Sequence, residues 1–202
     1  VLDAVVSLAG PVRIRMTPQE VPWTVSLDED DEHRTYDMGQ VSLYFSAATR
    51  AAFVLADLRS PYRGRSSPVN AWWGSFDLAI SLFSGRSATP PSHDFIMRNS
   101  ANAEEIAVGW WPGDGRHARP AFFGYAFPSP EGLREATLSP QSAYYDGSLG
   151  EFLLDWDDVV AAEDPRATAF QFGRSLISHA CEACDWDPFL KESAEGSLAP
   201  LA

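Results

Sequence analysis

Cysteine is nearly missing from this chain of 202 residues, which carries only Cys181 and Cys184. Two thiols exclude a disulfide framework and suit a reducing compartment, so a cytoplasmic location is expected. Their Cys-Glu-Ala-Cys spacing is that of a redox pair. It falls late in an apolar-periodic segment, however, and not at a helix N-terminus where the dipole would lower a thiol pKa. Thiols on a buried helix face are the expectation. Positive charge is also scarce: 15 Lys and Arg stand against 28 Asp and Glu, a net charge of -13. A surface of that sign repels phosphate backbones, and no nucleic-acid partner is expected. No apolar run approaches the roughly 18–20 residues that cross a bilayer, and Val1 to Arg15 lacks the basic start and long apolar stretch of a signal peptide. No membrane partner is expected either. The chain does not begin with Met and reads as processed, or as part of something longer.

Signatures of chemistry are missing as well. Ser75 is not set between the glycines of a nucleophile elbow, and neither a P-loop nor a dinucleotide fingerprint occurs. The four histidines, His33, His93, His117 and His179, are dispersed without metal-ligand spacing. His179 with Cys181 and Cys184 lacks a fourth ligand for zinc. Surface or structural histidines, no metal and no cofactor are expected. The acidic run Asp28 to Glu32 lacks the Gly-centred spacing of a calcium loop and reads as a solvated loop.

What is present is apolar and aromatic: 45% hydrophobic residues and 12% aromatics, ample for a buried core. Leu2, Val5, Val6 and Leu8 recur at helical spacing and stop at Gly10-Pro11. Val12 to Met16 alternates like a short strand. Met38, Val41, Tyr44, Phe45, Ala48, Ala52 and Leu55 form one stripe and predict the longest helix, from Asp37 to about Leu58. Ala71 to Phe83 alternates with period two and predicts a single strand with one dry face and one mixed face. Strands at 104–111 and 120–127 follow, which predicts an antiparallel meander. Residues 149–162 read as helical. Asp164-Pro165 opens a last helix with Ala169, Phe172, Leu176, Ile177 and Ala180 as its buried face. The fold class expected is α+β: an aromatic-rich antiparallel meander flanked by helices, in one domain over residues 1–190, with a flexible tail at 191–202. Residues 1–16 echo the later helix-then-strand order, as though the remnant of an upstream repeat.

The string Ser67-Pro-Val-Asn-Ala-Trp-Trp-Gly-Ser-Phe-Asp-Leu-Ala79 closely resembles a bacterial family called domain of unknown function 5996. The likeness continues through Phe83 to Arg86, Gly109 to Gly113, Ala121 to Pro128 and Tyr144 to Leu154. It implies a divergent member matching the C-terminal two-thirds of the family, without an upstream aromatic string like that at Asn70 to Ser75. The resemblance also implies histidines in relatives where this chain has Asn70 and Ala103, so that a member lacking them has lost or altered whatever those histidines do. The family name supplies no reaction.

The strongest candidate site is the mixed face of the first strand, with Trp73, Ser75 and Asp77, Asn70 at its entry and Arg86 at its exit. Trp111 and Tyr125 extend the wall if they share that face. A buried Asp needs donors. Asp77 therefore pairs with Arg86, caps a loop at the sheet surface, or orients a ligand hydroxyl or amine, and desolvation would make it a general base. Aromatic walls with a few polar groups are what small-molecule pockets look like, and also what sheet cores look like. Two functions follow: a small-molecule-binding protein, or metal-independent accessory enzyme; and an interaction protein whose sheet is closed by a partner chain or another copy.

Overall fold

A computed structural model describes residues 2–18, 21, 23–92 and 95–190. The expected flexible tail and His93 lie outside them. The chain divides into two compact units, Val1–Gly39 and Gln40–Ala202.

The first unit begins with helix α1 (Leu2–Ala9), which ends where Gly10 takes a positive φ of 83°. Val12 to Met16 forms no strand, only extended chain. With that strand missing, the echo of an upstream repeat has nothing to rest on. The acidic run closes on itself. The Asp30 carboxylate accepts from the backbone N–H groups of Glu32 and His33, at 2.9 and 3.0 Å, and meets His33 Nδ1 at 2.8 Å. These bonds, led by the His33 N–H, hold its pKa below the ordinary carboxylate range. His33 in turn stacks on Trp23 with centroids 4.0 Å apart.

The second unit is built on a six-stranded antiparallel sheet in the order β1-β2-β3-β4-β6-β5. Its strands are β1 (Asn70–Trp72), β2 (Asp77–Ser87), β3 (Ala103–Trp111), β4 (Ala121–Phe127), β5 (Tyr144–Asp146) and β6 (Glu151–Asp155). The helices are α2 (Met38–Arg59), α3 (Phe95–Ser100), α4 (Trp156–Ala161) and α5 (Pro165–Ala183). An α+β protein with an aromatic-rich antiparallel sheet is thus what the chain forms. Two expectations change. Ala71 to Phe83 is not one strand but a hairpin, because residues 73–76 turn the chain around Gly74. Residues 149–162 are not one helix: β6 comes first, and α4 starts only at Trp156.

One face of the sheet makes the main core. Ile80, Leu82, Ile106, Val108, Trp110, Phe122, Phe152 and Leu154 pack against Ala51, Leu55 and Leu58 of α2 and Phe172, Leu176 and Ala180 of α5. The buried stripe of α2 runs through Ala48, Ala51, Val54, Leu55 and Leu58, so the expected contributors Met38, Val41 and Phe45 stay exposed. α5 is started by Asp164, whose carboxylate accepts from the Ala167 N–H at 2.9 Å, with Pro165 in the first turn. Two glycines let α5 come close. A Cβ on Gly173 would stand 2.3 Å from Leu58 Cδ1, and one on Gly124 would stand 2.1 Å from Leu176 Cδ2 and 2.8 Å from the Ala107 carbonyl. Gly124→Ala is therefore expected to lower stability by about 1–3 kcal/mol through overpacking. Urea unfolding checks this, and an unchanged midpoint would mean that α5 sits further off the sheet than described.

Candidate functional site on the second face of the sheet

Partners in an antiparallel pair share a face, so the register identifies the residues opposite the main core. One row across the sheet is Ala79, Gly109, Phe123 and Leu153. Beside it Ala107 pairs with Tyr125, and Ala121 with Asp155. Alternation then puts Asp77, Ser81, Glu105, Trp111 and Glu151 on the same side. Ala79, Trp111, Phe123 and Leu153 form a second, smaller apolar cluster, joined by Tyr125 and Leu149.

Each polar member is positioned by its strand. Asp77 opens β2 opposite Trp72 and is only 9% exposed. The turn before it is forced: Phe76 takes a φ of 57°, a region that bulky side chains avoid. Tyr44 stabilises it, donating its hydroxyl to the Phe76 carbonyl at 2.8 Å and setting its ring edge-on to that of Phe76. Ser75 in the turn donates its hydroxyl to Asp77. Across the sheet the Phe123 ring lies over Gly109, where a Cβ would meet ring carbons at 2.3–2.4 Å. Trp111 stands edge-on to Phe123 and packs beside His117.

The electrostatics of this face are unusual in one respect: its carboxyls are short of cations. Burial raises the pKa of Asp77 against the opposing Ser75 hydrogen bond, and burial raises that of Glu105 against a bond from Ser81. Burial also pushes Glu151 up to about 7, helped by the negative charges of Asp77, Asp146 and Asp114 and opposed by Arg116. Arg116 is itself engaged with Asp114, at 2.7 Å. Tyr125 is held strongly in its protonated form, first by burial and then by the charges of Glu105, Glu151 and Asp77. All three carboxyls thus bear on one phenol. Asp155, buried at the end of the same face, contrasts with them: it meets His117 Nε2 at 2.9 Å and Arg119 Nη2 at 2.5 Å.

Among the expected site residues, Ser75, Asp77, Trp111 and Tyr125 come together here, and Asn70 joins them by register through its pairing with Ala79. Trp73 does not share the strand face; it sits in the turn and is half exposed. Arg86 lies elsewhere. Its Nε meets Glu104 at 2.7 Å and its Nη2 donates to the Cys184 carbonyl at 2.6 Å, in a cluster with Ser84 and Trp186. An Asp77–Arg86 pair is thereby excluded, since β2 runs eight residues onward before reaching Arg86 and alternation aims the two oppositely. Cys181 is buried and Cys184 half-buried on α5 and its cap, both as free thiols. His179 Nδ1 donates to the Ser175 carbonyl oxygen within its own helix, at 2.8 Å. Sequence reading missed Glu105, Glu151 and Asp155. The parity of Glu105 with Trp111 on one strand was the available signal; Glu151 was hidden by the helical reading of its segment. Among the described residues, no group of three or more His, Cys, Asp or Glu side chains is placed to hold a metal ion.

An all-antiparallel sheet packed on one face by two helices, with a partly buried acidic and aromatic second face, defines an α+β protein of a kind not tied to one chemistry. The chain belongs to the family of unknown function DUF5996, whose profile it matches over residues 1–193. That span is essentially the whole chain, not a C-terminal two-thirds. No curated protein and no solved structure matches it.

Glu151 makes the site measurable. In the unfolded chain it titrates near its ordinary 4.5; folded, it keeps its proton to about 7. Between those values the folded state binds more protons than the unfolded one, so this group makes stability fall as pH rises and costs at most about 3 kcal/mol above pH 7. Glu151→Gln is expected to gain on the order of 1–3 kcal/mol at pH 8 relative to the parent, and little at pH 4. Urea unfolding at both pH values reads the difference; a difference independent of pH would show that Glu151 is not desolvated.

Proposed function

We propose that the protein binds a small molecule on the second face of its sheet, and that the ligand presents a compact cation, an ammonium or guanidinium, on an aromatic or apolar body. One observation carries this reading: Asp77, Glu105 and Glu151 are all raised in pKa by burial and act together on Tyr125 without a free cation among them. Desolvated carboxyls gain most from a charge-assisted donor. Trp111 and Phe123 form a buried apolar backing for these carboxyls, and the partly exposed Tyr125 is the ring beside which a ligand body would lie. Glu151, poised at about 7, is better suited than Asp77 to exchange a proton with a bound amine or hydroxyl, and an accessory enzymatic role would run through it.

A second reading has its own support. Trp72 and Trp73 are 50% exposed and Phe76 60% exposed on one hairpin, an apolar tip suited to a partner chain or a second copy. Solution mass separates the two. A monomer that takes up phenethylamine favours the ligand; a dimer broken by Trp73→Ser favours the partner.

Calorimetric titration with phenethylamine should show saturable binding at pH 8, weakened about tenfold at pH 5 as Glu151 takes its proton, and weakened similarly by Glu151→Gln. Binding of phenylpropionate as tight as that of the amine would overturn the charge assignment.

A further inference from the structure

A second site lies in the same unit, away from the acidic face. α4 is only six residues long and the chain turns at once into α5, which leaves a wedge between α4, the start of α5 and one side of α2. The wedge encloses about 610 Å³, within the range of roughly 300–1,000 Å³ typical of small-ligand pockets. Its floor is aromatic: Phe122 from the core face of the sheet, with Trp156 against it at a centroid distance of 6.0 Å. Val54, Val159 and Ala169 lie buried behind it, and the apolar side chains open to the wedge are Phe53 and Val160.

The mouth has a different character from the interior. Arg50, Asp57 and Arg166 surround it. Arg166 Nη2 holds Asp57 Oδ2 at 2.5 Å, which neutralises that pair. Asp164, also at the mouth, is occupied in capping α5. The four charges at the mouth balance, and Arg50 is the cation among them that makes no ion pair with any described residue, so its guanidinium is free to meet an anionic group at the opening. The long helix α5 begins at the same mouth and adds the positive end of its dipole.

We propose that this cavity binds an amphipathic monocarboxylate, with its hydrocarbon body on Trp156, Phe53 and Val160 and its carboxylate on Arg50. An apolar interior removes hydrocarbon from water, and an arginine at the mouth lets the charged end remain hydrated while it is paired. The sign of the ligand is opposite to that favoured by the acidic face. The two sites are therefore independent: Glu151→Gln leaves this one intact, and Arg50→Gln leaves the acidic face intact.

The test is calorimetric titration of the full chain with octanoate, octan-1-ol and octylamine. Octanoate is expected to bind saturably, about tenfold tighter than the alcohol and tighter still than the amine. Arg50→Gln should bring octanoate to the level of the alcohol, Arg50→Lys should restore part of the difference, and Arg50→Glu should invert the preference toward octylamine. Arg50 is exposed on α2, so these variants fold as the parent does. No saturable binding of octanoate, equal binding of acid and alcohol, or an Arg50→Gln protein that binds octanoate as tightly as the parent would each overturn the proposal.

Discussion

The pairing of β3 with β4 is the constraint on which the rest of the second unit depends. Seven consecutive pairs, from Glu105 opposite Phe127 to Trp111 opposite Ala121, fix which side of the sheet each residue faces. A slip of one residue would exchange the faces of an entire strand. It would bring Tyr125 and Phe123 under the helices and turn Phe122 and Ala126 out. It would also move Gly124 from beneath Leu176, and no other residue of β4 leaves room for that side chain. By seating α5 on one face, the glycine determines that Tyr125 points to the other.

That second face is energetically expensive by design of its own residues. Asp155 shows the inexpensive solution to burying a carboxylate, with His117 and Arg119 both supplied as partners. Asp77, Glu105 and Glu151 lie on the same surface with hydroxyl donors at best, from Ser75 and Ser81, and Glu151 faces an arginine already claimed by Asp114. A hydroxyl donor offsets only part of the desolvation of a carboxylate. The protein thus compensates one acid fully and leaves three undercompensated within reach of a single phenol. Stability alone does not favour that arrangement, since an uncharged isostere at Glu151 satisfies the same space.

Much of the scaffold was legible in the sequence because its signals are long. The helical stripes of α2 and α5, the Asp164-Pro165 start and the aromatic strands β3 and β4 each span enough residues for periodicity to be unambiguous. Shorter signals failed for physical reasons. Ala71 to Phe83 keeps a period of two straight through a hairpin, because Phe76 falls two residues before Leu78 and Ser75 two before Asp77, and because Phe76 takes a backbone conformation usually left to glycine. Phe152, Leu153 and Leu154 are buried on both faces of the sheet, and a continuous apolar run has no period to separate strand from helix. Losing β6 meant losing Glu151 and Asp155, half of the acidic face. Arg86, one of the partners the sequence left open for Asp77, is engaged elsewhere. Its real partner, Glu104, belongs to the strand next door, and only the register of β2 on β3 reveals that neighbourhood.

The two candidate sites express one division of labour in the fold. Every strand residue facing the helices is apolar until the far end, where Glu104 and Arg86 close the core with an ion pair, and the cavity beside α4 inherits that apolar character, taking its charge only from helix residues at its mouth. The titratable groups that β2, β3 and β6 carry to the other side lie among small residues, Ala79, Ala107 and Gly109, which supply no side-chain donor, with the Phe123 ring lying over Gly109. The same alternation that makes a dry core on one side therefore gathers desolvated carboxyls on the other. In the proposed reading a cation suits the acidic face and an anionic amphiphile suits the cavity beside α4, and the backbone register between β3 and β4 keeps the two chemistries on opposite sides of the sheet.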